Sequence, residues 1–295
     1  MIVVMEIVIY VGLVLFGLVL GSFAGASVWR LRARQLVADK QAGERVDTAE
    51  FKKLEKLAHE KTAKDHSRCL HCGYMLRWYD LIPLVSWLSL KGRCRNCHKQ
   101  IGRMEPLIEL GTAVFFVASY VFWPVPLVGG LDIAIFVLWL IAGVGLAIMF
   151  AYDTKWFLLP DKVNFAVIGL GLATSVLMVI ASTDKVGTIL GIVGSVAILS
   201  GIYFVLYLIS KGGWIGFGDI KLGLGLALLL GDWRLAFIAL FAANLIGCII
   251  VIPLMITGKL KRTSRVPFGP LLIAGAIVTK LVGIGIVEFY TFGLL

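Results

Sequence analysis

Gly216-Phe217-Gly218-Asp219-Ile220-Lys221 lies between two long apolar runs, residues 186–209 and 222–230. An ionisable side chain at or near membrane depth is costly, so by default it marks a functional site. Asp153 is a second such acid. It closes the apolar run 133–152, and Asp161 follows it directly after Leu159-Pro160. Asp153 and Asp219 thus stand at helix ends, and Gly216 and Gly218 let another backbone come close. Two carboxylates so placed read as a proteolytic aspartyl pair. The same acids also suit structural tasks, capping a helix or pairing with a nearby Lys, and the hexapeptide leaves both readings open.

Outward from this stretch the chain is apolar almost throughout. Of its 295 residues, 59% are hydrophobic and 16% charged, and mean hydropathy is +0.93, unlike an ordinary soluble domain. Several runs of about 20 apolar residues match a hydrocarbon layer of roughly 30 Å, which gives an all-α polytopic membrane protein. The first span covers residues 2–28, with Gly12, Gly17, Gly21 and Gly25 where helices pack closely. No basic region precedes it and no small-residue cleavage site ends it, so it reads as a retained span. Seven further runs lie at 106–123, 131–151, 162–181, 187–209, 220–231, 233–256 and 267–291, for about eight spans in all. The run 220–231 is short for a full crossing, and reads as a tilted span or half of a hairpin.

The net charge of +10 is concentrated. Residues 30–105 hold 17 Lys and Arg against 9 Asp and Glu. Beside apolar spans this is a cytoplasmic topology signal. No aromatic-interleaved basic motif accompanies it, which argues against a nucleic-acid partner. Within it, residues 35–67 predict an amphipathic helix whose Phe51, Leu54, Leu57 and Ala58 pack on their own domain. With this loop inside, 25 of the 28 basic residues fall inside, leaving Lys185, Arg234 and Lys280, and both termini fall outside. The same threading puts Asp153, Asp161 and Asp219 on one face, although none of them was used to build it.

Cys69-Leu70-His71-Cys72 and Cys94-Arg95-Asn96-Cys97 are two C-x2-C pairs separated by 21 residues. Four thiolates in this pattern suit a closed tetrahedral zinc site that is structural, since four Cys ligands leave no position for water. Disulfides are the rival, disfavoured in the reducing compartment that the topology assigns. His71 and His98 read as exposed neighbours, and Cys248 as a small core residue. The segment from Arg77 to Leu88 is too aromatic for a free loop, and is expected at a membrane interface or lining a pocket.

These pieces stand in an order that resembles the prepilin leader peptidase family, over essentially the whole chain. They are Gly21-Ser22-Phe23, Ser67-Arg68-Cys69 with Cys72, Trp78-Tyr79-Asp80 with Ile82-Pro83-Leu84 and Ser86-Trp87, then Gly92-Arg93-Cys94-Arg95 with Cys97 and Pro106-Leu107 with Glu109. Asp153 with Leu159-Pro160-Asp161, Gly216-x-Gly218-Asp219-x-Lys221 and Pro267-Phe268-Gly269-Pro270 complete the set. The chain departs from the family pattern at Ala24-Gly25-Ala26-Ser27 and at Met104-Glu105.

The resemblance implies that Asp153 and Asp219 are the catalytic carboxylates of an aspartic peptidase. Gly216, Gly218, Lys221 and Asp161 would be supporting or substrate-facing, with Asp161 read as the N-cap of the next helix. It further implies cleavage of prepilin or pseudopilin leaders at the cytoplasmic face of the bacterial inner membrane, then N-methylation from S-adenosylmethionine. Its domain plan is a first transmembrane helix over 1–29, a cytoplasmic zinc-binding, methyltransferase-associated domain over 30–105, and a seven-helix membrane peptidase domain over 106–295. Residues 30–105 carry no glycine-rich nucleotide fingerprint to locate that cofactor, and no feature fixes an oligomeric state. A proton-coupled transporter would also use Asp153 and Asp219, and a zinc-bearing scaffold would tolerate their loss.

Overall fold

The computed structural model describes residues 2–58, 66–261 and 264–292; residues 59–65 of the 35–67 segment and Arg262 fall outside this set. Among the described residues the fold is all helix, with no strand beyond two isolated bridges. Seven helices among the described residues are long and apolar enough to cross a membrane, and the chain is a multi-pass membrane protein. It divides into two compact units, Met1–Val117 and Ala118–Leu295.

In the first unit, α1 (Ile2–Gln41) is 40 residues long. At 1.5 Å per residue it exceeds one crossing roughly twofold. The chain does not leave the helix at Trp29 because the basic segment that follows is made of good helix formers with no Gly or Pro. Gly43, in the left-handed region at φ +81°, ends the run. Asp47 then accepts the Ala49 and Glu50 amides at 2.8 and 3.1 Å and opens α2 (Thr48–Ala58). The single helix expected over 35–67 is broken at residues 42–47, but the expected amphipathic packing is present: Leu54 and Leu57 of α2 close a small core with Ala33 and Leu36 of α1, flanked by Phe51. After the short α3 (Val85–Ser89) comes α4 (Met104–Val121). A Cβ on Gly17 or Gly21 would stand 2.6 Å from the Cα of Ala113 or Glu109, so α1 and α4 meet backbone to backbone. Two α4 acids tie this unit together, Glu105 accepting from Trp29 Nε1 and Glu109 from the Leu84 amide, each at 2.8 Å.

The second unit holds α5 (Gly130–Trp156), α6 (Asp161–Ala181), α7 (Lys185–Val196) running through a π-turn (Ala197–Gly201) into α8 (Ile202–Ser210), then α9 (Phe217–Leu230), α10 (Trp233–Ile256) and α11 (Gly269–Phe292). The run expected at 220–231 is α9, 14 residues long and below spanning length. Nine of those residues are buried, because α6, α7, the π-turn, α10 and α11 all pack on it. Helix α9 is therefore apolar on every side because protein surrounds it.

The last-turn carbonyls of α9 have no partner within the helix, and its last four residues are buried, so those carbonyls are met by neighbouring helices. Ser195 donates to Ala227, Ser175 to Leu228 and the buried Lys280 to Leu229, at 2.9, 2.9 and 3.3 Å. The Gly231 amide returns to Ala227 from a left-handed cap. Cys248 is exposed, contrary to the core expectation. Helix α10 buries the stripe Leu235, Ala239, Ala243 and Gly247, and position 248 lies off it.

Candidate functional site

In the second unit the end of α5 and the starts of α6, α9 and α11 come together, and they carry Asp153, Asp161 and Asp219. Asp153 is in the last turn of α5, its carbonyl accepting the Phe157 amide at 2.9 Å, and its side chain is buried at 5% exposure. Its Oδ2 accepts the backbone amide of Gly269, first residue of α11, at 3.0 Å. Asp219 is the third residue of α9, half-buried, with Oδ2 turned back to the Gly216 amide at 3.3 Å. It thus also does part of the capping work of the structural reading.

The two carboxylates lie within electrostatic reach of each other. Leu159, in the turn between α5 and α6, holds the elements in register. A Cβ on Gly218 would stand 3.1 Å from Leu159 Cβ, and one on Gly269 3.4 Å from its Cδ2. The glycines at 218 and 269 therefore let the starts of α9 and α11 close on the same leucine.

Asp161 and Lys221 take a different arrangement. Asp161 is the first residue of α6 and Pro160 occupies the cap position, so the N-cap expectation does not hold. Asp161 instead pairs with Lys221 Nζ at 2.6 Å, joining α6 to α9. The ammonium also lies 5.0 Å from the Phe217 ring and 5.3 Å from the Phe165 ring. Three participants were not singled out as site residues from the sequence, although Gly269 lies in a quoted motif. They are the Gly269 amide, Asn164, whose Nδ2 donates to the Gly218 carbonyl at 3.4 Å while 1% exposed, and Tyr203, which returns below.

In the first unit the four cysteines meet. Their Sγ atoms all lie within 4.8 Å of one another, with Cys69 to Cys97 at 3.9 Å and Cys72 to Cys94 at 4.0 Å. A tetrahedral zinc with bonds of ~2.3 Å sets its sulfurs roughly 3.8 Å apart, so the set needs only small adjustment. The two knuckles are built alike. Arg68 bridges Met75, and Arg93 bridges Gln100. A positive-φ residue follows each second cysteine, Gly73 at +73° and His98 at +56°. The long spacer is taken up by a 3-10 turn (Trp78–Leu81) and α3, with Arg95 pairing to Asp80 at 2.7 Å across it. Burial pushes the Cys69 thiol up to about 12, while backbone hydrogen bonding at Tyr74 first of all lowers Cys72 to about 6. His71 and His98 are exposed, as expected. In the aromatic spacer, Trp78, Val85 and Leu88 are exposed as well.

Residues 15–123 match the bacterial peptidase A24 N-terminal domain, and residues 140–252 the type IV leader peptidase family. A leader peptide-processing enzyme for type 4 prepilin-like proteins from Escherichia coli is 34% identical, over 89% of this chain and 90% of its own. The chain belongs to the type IV leader peptidase family. A prepilin leader peptidase/N-methyltransferase from Pseudomonas aeruginosa is 28% identical over 94% of this chain and 91% of its own, and one from Dichelobacter nodosus 29% over 96% and 94%. No solved structure matches. The peptidase family match spans both acids and the N-terminal domain match all four cysteines, so each cluster falls in its own segment.

Proposed function

We propose that this family member is a membrane aspartic endopeptidase that removes the basic leader of type IV prepilins or pseudopilins at the cytoplasmic face of the bacterial inner membrane, and then methylates the new N-terminus. The observation that carries the reading is that Asp153 and Asp219, 66 residues apart in sequence, lie within electrostatic reach of each other, at the end of α5 and the start of α9.

Two carboxylates in a poorly solvated site do not readily ionise together, so the pair shares one proton. The ionised member takes a proton from water as the water oxygen bonds to the scissile carbonyl carbon. The protonated member supports the oxygen that gains charge. When the carbon–nitrogen bond breaks, the leaving amine receives a proton and the pair returns to its starting state. Lys221 and Asp161 brace α9 against α6 beside this step. A prepilin's hydrophobic segment would lie among the spans with its basic leader on the Lys- and Arg-rich side.

Zinc is the cation that the four cysteines fit, and it would tie off the small domain without taking part in hydrolysis. S-adenosylmethionine would supply the methyl group, a step supported by the printed names of the relatives alone.

The test is purified protein with a prepilin and S-adenosylmethionine, reading cleavage and methylation by mass. Asp153→Asn and Asp219→Asn should each abolish the cleaved product while folding and metal content persist. A cleaving Asp219→Asn protein would end the proposal.

A further inference from the structure

Tyr203 is the second residue of α8, directly after the π-turn, and is 5% exposed. Among the described residues no group hydrogen-bonds its hydroxyl. A buried hydroxyl without a partner costs on the order of 1–3 kcal/mol, so in a native protein it calls for a reason.

Its surroundings supply one. The Tyr203 ring meets Phe268 edge to face at 5.4 Å between centroids, and Phe268 immediately precedes Gly269, whose amide holds Asp153. The hydroxyl also lies within electrostatic reach of Asp219. Tyr203 is thus placed between the segments that carry the two acids, and bonds to neither.

The placement is built. Pi-turns inside helices recur at functional sites because the extra residue turns the following side chains. Here the turn is clamped on α9. Ser200 Oγ donates to the Ile220 carbonyl, next to Asp219, at 3.1 Å. A Cβ on Gly223 would collide with the Leu199 carbonyl, so only glycine lets α9 come so near the turn. Tyr203, Ser200 and Gly223 are therefore parts of one device, which sets a phenol beside the dyad.

Resting on the aspartyl reading above, we infer that Tyr203 is a third catalytic group, whose hydroxyl donates a hydrogen bond to the scissile carbonyl oxygen of the bound peptide as that oxygen becomes an oxyanion. The donor has no partner among the described residues because its partner arrives with substrate. A pre-aimed donor of this kind needs no reorganisation during the reaction. No proton leaves the phenol; the bond strengthens as charge grows and relaxes when the amine departs.

The experiment is Tyr203→Phe in detergent-purified full-length protein, with a prepilin substrate and a peptide carrying a hydroxyl isostere of the tetrahedral carbon. Phenylalanine keeps the ring on Phe268. Loss of one such donor lowers kcat by about 10²-fold with KM little changed, and should weaken the isostere by a similar factor. The thermal midpoint of the purified variant should stay at or above that of the parent, since an unpaired hydroxyl has gone. A kcat within about threefold of the parent would overturn the inference, as would loss of kcat with unchanged isostere affinity. Asp219→Asn measured alongside separates the two readings. If it is inactive while Tyr203→Phe is fully active, only the tyrosine assignment falls; if it is active, the dyad itself is wrong.

Discussion

The contact between Asp153 and Gly269 joins residues 116 apart, and Gly269→Ala tests it directly. Gly269 has no positive φ, so alanine strains no backbone there and space alone decides the outcome. The new Cβ would stand 2.7 Å from Asp153 Oδ2 and 3.4 Å from its carboxyl carbon. Carbon–oxygen contacts settle near ~3.3–3.6 Å, so the carboxylate must retreat by roughly 0.6–0.9 Å. The obstructing atom is the end of a rotatable side chain, and turning it off its rotamer costs about 0.5–1.5 kcal/mol. The fold should therefore survive. Activity should not survive as well, because a misplacement of about 1 Å in a reacting group costs on the order of 10²-fold. Losing the amide bond to the carboxylate, about 1.5–3 kcal/mol, gives a similar factor. We expect kcat/KM for prepilin cleavage to fall about 10- to 100-fold, with the protein still purified folded and its thermal midpoint lower by about 2–4 °C for each kcal/mol lost. The assay is initial-rate cleavage of a prepilin by mass, alongside Asp153→Asn. An alanine variant within about threefold of the parent, beside an inactive Asp153→Asn, would refute the claim that α11 positions Asp153 during turnover.

Removing zinc with a chelator, or replacing one ligand by Cys72→Ser, should lower metal content and the melting temperature of the first unit; unchanged metal content would break the cluster assignment. Lys280→Met strips the donor from the last turn of α9 and should destabilise the second unit by about 1–3 kcal/mol, read by denaturant titration in detergent. Gly223→Ala drives a Cβ into the Leu199 carbonyl and should cost at least about 1–3 kcal/mol, with α9 and the π-turn forced apart; native stability would show that this approach is looser than described. The pair between Asp161 and Lys221, whose side chains are 61% and 19% exposed, should couple by less than about 1 kcal/mol in a double-mutant cycle. A larger coupling would mean that it does more than brace α6 against α9.

What was legible in the sequence has a common physical cause. Long apolar runs, a C-x2-C repeated twice and acids closing apolar segments are local patterns, and each announces its own chemistry. Several helix limits follow from them to within a few residues, as α6 at Asp161–Ala181 against the expected 162–181 shows, whereas α1 runs on to Gln41, past the expected end at 28. The failures all involve partners that lie far along the chain. Nothing in Ala197 to Gly201 marks a π-turn, because that turn depends on α9 arriving against Leu199. Nothing around Gly269 says that its amide will meet an acid from α5. Asp161 precedes a helix in the way a cap does, and only the nearness of Lys221, 60 residues on, turns it into an ion pair. Cys248 sits in an apolar run that hydropathy alone cannot divide into a protein face and a lipid face.

Helix α9 shows why the short run at 220–231 resisted a one-dimensional reading. A helix of 14 residues is about 21 Å long, too short to carry both of its ends to water across a layer of roughly 30 Å. It is held instead among other helices, which bury nine of its residues. At its carbonyl end two serines and a lysine from three other helices supply donors, and the chain turns at Gly231 toward Asp232 and Arg234. At its amide end Asp219 lies in the first turn, within electrostatic reach of Asp153. Lengthening α9 by a turn would displace Ser175, Ser195 and Lys280 from the carbonyls they serve. Moving it as a rigid rod would instead lift Asp219 away from Asp153. The helix is short because its depth is fixed at both ends, by backbone donors at one and by the dyad at the other.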